Sequence, residues 1–346
     1  MTNRLLAAVL AAGFTLSPLA FSGTYPDDVP ALGYSPANMD TRVDPRQDFY
    51  RYAAGNWLKK TAIAPSDPDV GGFVLLGHNL DKQLLTLIKE AAATTDAPKG
   101  SARQQVGDYY KAAMDNARRD ALGLKPLEAD MQRIASAGGT PADYGRLAAR
   151  LQVAVGGSPL IMVGAMPDAK DSSTGVMVLA PGAQLLEQDE YAQPEHQKLR
   201  NLYRMYIVAM LHGIGEPIDA AKTQAAKIVT MEKQAAAAMM TPLQQRDPAN
   251  TYNIMTLDQA QALVPALDLR AYLAELGVAA PARVQVVDIN AMKTLQKILA
   301  ERPVDEVKLL LRWFLLASRA PELGQPWRLQ EEAFTVERNG LKNPPE

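Results

Sequence analysis

The sequence predicts a mainly α-helical fold with one small β-hairpin. Apolar residues recur at helical spacing through most of the chain. Alanine is abundant, whereas isoleucine, phenylalanine and tryptophan are scarce, and this mixture favours helix over sheet. The hydrophobic pattern becomes typical of strands at one place, where Leu160–Val163 and Val176–Leu179 flank a polar turn at 168–175. A further short strand is predicted at Val284–Val287.

The first 22 residues have the pattern of a secretory leader. Arg4 supplies a positive start, Leu5–Leu16 an apolar run, and Ala20–Ser22 small residues suited to cleavage. An uncleaved anchor is the alternative, but the run is shorter than the roughly 20 residues of a membrane span and is followed by Pro18, so no stable span is expected. The chain has no cysteine, which excludes lipidation on cysteine. An exported chain without disulfides is expected in a bacterial periplasm or the extracellular space rather than on an animal secretory route.

Composition limits the partners and the number of domains. A net charge of -2 shows no basic excess, so nucleic acid is not expected as a partner. With 346 residues, the chain can form one large domain or two ordinary ones. After the leader we expect an extended lead over 23–45, a helical domain over 46–330 and an irregular tail over 331–346.

The segment Asp44–Trp57 is the first part expected to fold, and it is rich in aromatic residues. Asp48 is a suitable helix N-cap, and the Gly55-Asn56 pair can end the helix with a left-handed turn. Trp57 is then expected to return toward the core. This pattern predicts a short helix over 48–54 whose aromatic side chains form a packing centre.

The remaining helices are predicted from apolar spacing and from caps. The second helix is amphipathic and carries Phe73, Leu76, Leu80, Leu84, Leu87 and Ile88 on one face. Thr140 with Pro141 begins another helix, and Thr256–Gln259 is a capping box. Further helices are predicted over about 101–119, 124–136, 199–213, 216–240, 268–276, 290–301 and 304–318.

Residues suited to catalysis are few. His78, His196 and His212 are the only histidines, no two lie four residues apart, and none begins His-Glu-x-x-His. We predict a capping or surface role for His212, an exposed position for His196 and no zinc role for His78, because a catalytic zinc site needs three protein ligands. Ser158 lacks the final glycine of a nucleophile elbow, so it is predicted to open the hairpin. No catalytic, metal or substrate-binding residue is predicted.

Four motifs in order resemble the neprilysin and endothelin-converting-enzyme family of zinc endopeptidases, metallopeptidase family 13. They are the opening Asp48–Leu58, the Tyr-Lys-Ala-Ala-Met-Asp segment at 110–115, the run Arg246–Leu257, and the late helix with Leu311–Trp313. The resemblance covers residues 38 to 330, nearly all of the chain after the leader.

The resemblance implies one half of a two-lobed, mostly helical peptidase. The family encloses a large cavity that small peptides enter, and its zinc site lies in the carboxy-terminal half. This chain matches the amino-terminal half, so no cofactor is expected in it, and zinc is expected only in the missing catalytic half. Its expected partner is a carboxy-terminal catalytic lobe or small peptides. Many members place an arginine before the Gly-x-Phe at Gly71–Phe73, where this chain has Asp69 and Val70.

Three interpretations therefore stay open at this point. The chain is the substrate-restricting lobe of an exported endopeptidase and inactive alone, or a stand-alone helical module that binds peptides or a protein, or a degenerate fragment. A lobe that covers another lobe should expose a large apolar patch when it is alone. Little exposed apolar surface would favour the stand-alone module.

Overall fold

The computed structural model describes residues 35–342, which form sixteen α-helices and one four-stranded sheet. The mainly helical prediction is therefore confirmed. These residues fall into two compact units, which we call unit 1 (35–90 and 339–342) and unit 2 (91–338). The predicted leader over 1–22 and most of the predicted lead lie outside the described residues.

Unit 1 contains α1 (Phe49–Lys60) and residues 72–90 of α2 (Gly72–Ala93). The carboxylate of Asp48 accepts a hydrogen bond from the backbone N–H of Arg51, so the predicted N-cap is confirmed. The predicted helix end at Gly55 is wrong, because α1 continues for another turn. A Cβ at Gly55 would lie 2.8 Å from Cβ of Asp40. Glycine is thus needed inside the helix for close packing rather than for a turn.

Unit 2 is built mainly from helices. In chain order the helices are α3 (Ala102–Met114), α4 (Asn116–Leu122), α5 (Glu128–Ser136), α6 (Pro141–Val155), α7 (Gln188–Ala192), α8 (Gln197–Gly213), α9 (Ile218–Ala238), α10 (Pro242–Gln245), α11 (Pro248–Thr251), α12 (Leu257–Leu263), α13 (Leu269–Glu275), α14 (Ile289–Glu301), α15 (Val304–Arg319) and α16 (Gln325–Asn339).

By position along the chain, the four helices α3 to α6 precede the sheet and the seven helices α7 to α13 lie between its second and last strands. The helix α13 spans Leu269–Glu275. Only α14, α15 and α16 follow the sheet.

Several predicted helix starts are confirmed by the caps. Thr140 and Asp143 form a capping box at α6, and Thr256 and Gln259 form another at α12. The Asp268 carboxylate accepts from two backbone N–H groups at the start of α13. Each cap satisfies amide groups that the first helical turn leaves without partners, which is why these starts are readable from sequence.

The sheet has the order β1-β2-β4-β3, with β1 (Ile161–Pro167), β2 (Gly175–Pro181), β3 (Asn253–Thr256) and β4 (Arg283–Val286). β1 and β2 form the predicted antiparallel hairpin, and β4 lies parallel to β2 with Val178 opposite Gln285. β3 pairs with β4 and was not predicted, because its four residues read as the approach to the α12 cap. The predicted hairpin is thus half of a larger sheet.

A buried carboxylate joins the hairpin turn to the other two strands. Asp168 accepts a hydrogen bond from Oη of Tyr252 at 2.7 Å, just before β3. It also pairs with Arg283 at 3.2 Å, the first residue of β4. The hydrogen bonds from the Lys170 amide and Tyr252 hold the pKa of Asp168 below its ordinary value. This cluster fixes the turn against strands that are distant in sequence.

The core of unit 2 lies among α8, α9, α15 and α16. Trp313 on α15 is fully buried and meets the rings of Tyr203 and Tyr206 edge-on. Phe334 on α16 stacks on Tyr206 with ring centroids 4.6 Å apart. Such aromatic pairs add to the energy of apolar burial.

The prediction of an irregular tail over 331–346 is wrong for its first nine residues. Residues 331–339 belong to α16, and Arg338 pairs with Glu190 at 2.7 Å. The helix is polar on most faces and buries mainly Phe334, so its sequence carries only a weak apolar pattern. Tertiary contacts rather than periodicity stabilise it.

The close packing around Gly145 predicts a large loss of stability when this glycine is substituted. A Cβ at Gly145 on α6 would lie 2.3 Å from the carbonyl oxygen of Asp268, which is backbone and cannot rotate away. We expect Gly145→Ala to lower the free energy of unfolding by about 1–3 kcal/mol, as overpacking does. Gly164→Ala is the matched control, because nothing lies within 4 Å of its added Cβ. Urea unfolding of both variants tests this, and equal stability would contradict the packing argument.

Candidate functional site

The three histidines lie in separate local environments. His78 in unit 1 faces Asp67, with Nε2 to Oδ1 at 3.3 Å. In unit 2, Nδ1 of His212 lies 2.8 Å from the carbonyl oxygen of Glu216, at the end of α8 as predicted. His196 is half-buried in a short 3-10 turn before α8, rather than fully exposed. None of the three histidines belongs to a group of three or more metal-ligating side chains among residues 35–342.

Ser158 has a structural role. Its side chain is fully buried, and Oγ accepts a hydrogen bond from the Leu160 amide at 3.2 Å. Its carbonyl oxygen accepts from the Ala183 amide at 2.8 Å, so it joins both ends of the hairpin. No imidazole contacts this hydroxyl among the hydrogen bonds of residues 35–342. The predicted position at the hairpin start is confirmed.

The aromatic segment of unit 1 does not form the predicted packing centre. Phe49 and Tyr50 are 68% and 65% exposed, and Trp57 is only half-buried. A large ring left in water forgoes most of its burial energy. The prediction was wrong because spacing shows which residues share a helix face but not what covers that face.

Polar contacts instead hold this segment together. The buried carboxylate of Asp40 accepts from Nε of Arg42 at 2.8 Å and pairs with Lys59 of α1. These hydrogen bonds, from Arg42 first and then Lys59, hold the pKa of Asp40 far below its ordinary range. Nδ2 of Asn56 donates to the carbonyl oxygen of Met39 at 2.6 Å. The chain before α1 is thus fastened to the helix.

Helix α2 in unit 1 has an exposed apolar face. Its members recur at intervals of three or four residues, so they lie along one side of the helix. We call them the α2 stripe: Phe73 (90% exposed), Leu76 (55%), Leu80 (51%), Leu84 (44%) and Leu87 (50%). The amphipathic pattern was predicted correctly, and the structure leaves the apolar face uncovered. A contiguous exposed row of this kind marks an interaction surface.

Residues 35–342 contain neither a cluster of metal-ligating side chains nor a helix of membrane-spanning character. No group of three or more histidine, aspartate or glutamate side chains there is arranged to hold a metal ion. No helix in that range has both the length and the apolar character needed to cross a membrane.

The described residues thus form a mainly helical fold with an exposed apolar stripe on α2 and no group of three or more potential metal ligands. The family model for the amino-terminal part of Peptidase family M13 matches residues 45–346. The chain therefore belongs to peptidase family M13, and the resemblance drawn from the four motifs is confirmed.

Relatives and solved structures agree with this assignment. Endothelin-converting enzyme-like 1 of Mus musculus is 25% identical over 371 residues, covering 99% of this chain and 47% of the relative. Endothelin-converting enzyme 1 of Cavia porcellus is 29% identical over 289 residues, covering 78% of this chain and 37% of the relative. The fold matches Mycobacterium tuberculosis zinc metalloprotease Zmp1 with a TM-score of 0.80 and 24% identity, over 88% of this chain and 46% of that one. The chain spans about half the length of these relatives or less.

Proposed function

We propose that this chain is the substrate-restricting amino-terminal lobe of an exported neprilysin-like zinc metalloendopeptidase. The observation that carries the proposal is the α2 stripe, five large apolar side chains exposed on one helix face. Burying each of them would contribute roughly 1.5–3 kcal/mol. The chain matches about half the length of its relatives. We infer that the other half of such an enzyme, the catalytic lobe, packs against the α2 stripe.

The carboxyl end of the described chain returns to the unit that carries the stripe. Residues 339–342 cluster with unit 1, and the Lys342 amide donates to the carbonyl oxygen of Pro65 at 3.0 Å. A catalytic lobe joined beyond residue 346 would therefore begin close to unit 1. Such a connection makes docking on α2 effectively intramolecular, which raises its local concentration.

The two lobes would divide the work. The catalytic lobe would supply zinc, which activates water for attack on the peptide bond. This chain would close the cavity and exclude large substrates, so small peptides are its proposed ligands in the assembled enzyme. Alone it is proposed not to hydrolyse peptides, because these 346 residues contain no His-Glu-x-x-His motif to hold a catalytic zinc ion. Export to the periplasm or the extracellular space is part of this proposal.

The test reads the coding region beyond codon 346 in all three frames. If a frame encodes a polypeptide with His-Glu-x-x-His, that polypeptide and this chain are each produced alone and also together. We expect zinc-dependent, chelator-sensitive cleavage of a fluorogenic peptide only when both are present. Cleavage by this chain alone would contradict its proposed inactivity. A coding region without such a motif, together with monomers that bind peptides, would support the stand-alone module instead.

A further inference from the structure

A buried carboxyl group lies at the centre of unit 2 and takes no part in the proposed function. Glu232 on α9 is only 5% exposed. It accepts hydrogen bonds from Oη of Tyr203 at 2.9 Å and from Oη of Tyr191 at 3.0 Å. Nε1 of Trp313 donates to Oη of Tyr203 at 3.1 Å, so α7, α8, α9 and α15 meet in one network.

No positive charge balances this carboxyl group within the described chain. The groups that face it are the two tyrosines from α7 and α8 and, through Tyr203, the indole of Trp313 from α15. Arg338 of α16 pairs with Glu190 instead. A buried carboxylate without a cation is costly, so the group is more readily kept neutral.

A small cavity in unit 2 is lined in part by Glu232. Its volume is about 40 Å³, and Gln184, Met231 and Met239 are among the residues that line it. Since one water needs roughly 10–15 Å³ by this measure, the cavity has room for a few waters. Its lining is mainly apolar, so water is favoured there only when a charged group is present to bind it.

We propose that Glu232 makes the core of unit 2 respond to pH, being neutral and dry in acid and ionised with water in the adjacent cavity above neutral pH. When neutral, the carboxyl can donate to one phenol oxygen while it accepts from the other. When ionised, it can only accept, and water adds the donors that the two tyrosines do not supply. Each protonation state of Glu232 thus has hydrogen-bond partners available in this network.

The segment 182–187 is the part of unit 2 that would loosen with ionisation. Residues 182–184 line the cavity, and Nε2 of Gln184 donates to the carbonyl oxygen of Glu232 at 3.0 Å. A Cβ at Gly182 would lie 2.2 Å from the carbonyl oxygen of Pro159, so the segment 182–187 begins in very close contact with the backbone of Pro159. Water entering the cavity would act on this tight packing directly.

The direction of the pH effect follows from the pKa of Glu232, which burial raises from 4.5 to about 7 despite the hydrogen bonds from the tyrosines. Between these values the folded chain holds a proton that the unfolded chain has lost. Its contribution to stability therefore falls as pH rises from about 4.5 to about 7 and is level above that.

The indole resonance of Trp313 offers a direct test in the intact chain. We expect its ¹H–¹⁵N signal to titrate with a midpoint near pH 7, and the titration to vanish in Glu232→Gln. Trp57, which lies in unit 1, is the internal control and should not follow this midpoint. A Trp313 signal without a transition between pH 5 and 9 in the unsubstituted chain would overturn the proposal.

Stability and hydrogen exchange give two further readouts. Between pH 4.5 and 7, the urea midpoint of the unsubstituted chain should fall by more than the urea midpoint of Glu232→Gln. In the unsubstituted chain, the backbone amides of residues 182–187 should exchange faster above pH 7, after correction for intrinsic exchange rates. Parallel profiles for the two chains would contradict the proposal. If Glu232→Gln does not fold, Tyr191→Phe serves instead, because losing a donor to the ionised form should move the Trp313 midpoint upward. An unmoved midpoint would count against the mechanism.

Glu216→Gln is the matched glutamate control. Burial pushes the pKa of Glu216 upward, but hydrogen bonds from Arg312 and Gln224 outweigh it and leave the pKa below its ordinary value. Removing this carboxylate should leave the Trp313 titration near pH 7 in place. Loss of that titration in Glu216→Gln would show that Glu232 is not the group responsible.

Discussion

Two glutamates placed in the α2 stripe are expected to abolish the association of this chain with a catalytic lobe. In Leu80→Glu combined with Leu84→Glu, each lost leucine contact removes roughly 1.5–3 kcal/mol, so binding should weaken at least ~100-fold. Glutamate is a good helix former, so α2 itself should persist. Titration calorimetry with the separately produced catalytic lobe measures the change in Kd, and peptide cleavage by the mixture should fall with it.

The matched control carries the same change in charge on the other side of α2. Lys82→Gln with Thr86→Glu also lowers the net charge by two, and both positions are exposed about half a helical turn from the stripe. We expect this pair to bind nearly as well as the unsubstituted chain. Equal weakening in both pairs would mean that general charge, rather than the apolar stripe, governs docking.

Trp313→Ala is expected to be the most destabilising single substitution considered for the fold. The indole is fully buried, meets Tyr203 and Tyr206 edge-on, and donates to Oη of Tyr203. Removing such a side chain leaves a cavity and typically costs about 3–5 kcal/mol. Since whole domains are stable by only about 5–15 kcal/mol, roughly a fifth or more of the stability would be lost. Urea unfolding followed by circular dichroism measures it.

Trp57→Ala provides the comparison at the same residue type. Trp57 is half-buried on α1, so fewer contacts are lost and a decrease of about 1 kcal/mol is expected. A Trp313→Ala variant as stable as Trp57→Ala would contradict the position of the core among α8, α9, α15 and α16.

Local signals in the sequence were sufficient for most helices and for the hairpin. The capping residues Thr140, Thr256 and Asp268 act on amides within their own first turn, so their effect does not depend on distant contacts. The apolar residues of α15 are dense enough to predict a helix that is buried on most sides. The four motifs in order indicated the peptidase family, and the family model that matches residues 45–346 agrees with them.

Features that depend on distant partners were missed or misread. Gly55 resembled a helix end but serves close packing against Asp40, and β3 exists because β4 pairs with it. Glu232 gave no motif at all. The one signal that could have found it is a lone carboxylate beside Ile228 and Met231 on the buried face of α9.

The sequence by itself determined the family, the helical class and the absence of a His-Glu-x-x-His motif from these 346 residues. These properties depend on residue identity and spacing along the chain. Only the tertiary structure decided that the α2 stripe is exposed and that Glu232 is buried between two tyrosines. Burial is set by what packs against a side chain, and a periodic pattern carries no information about that neighbour.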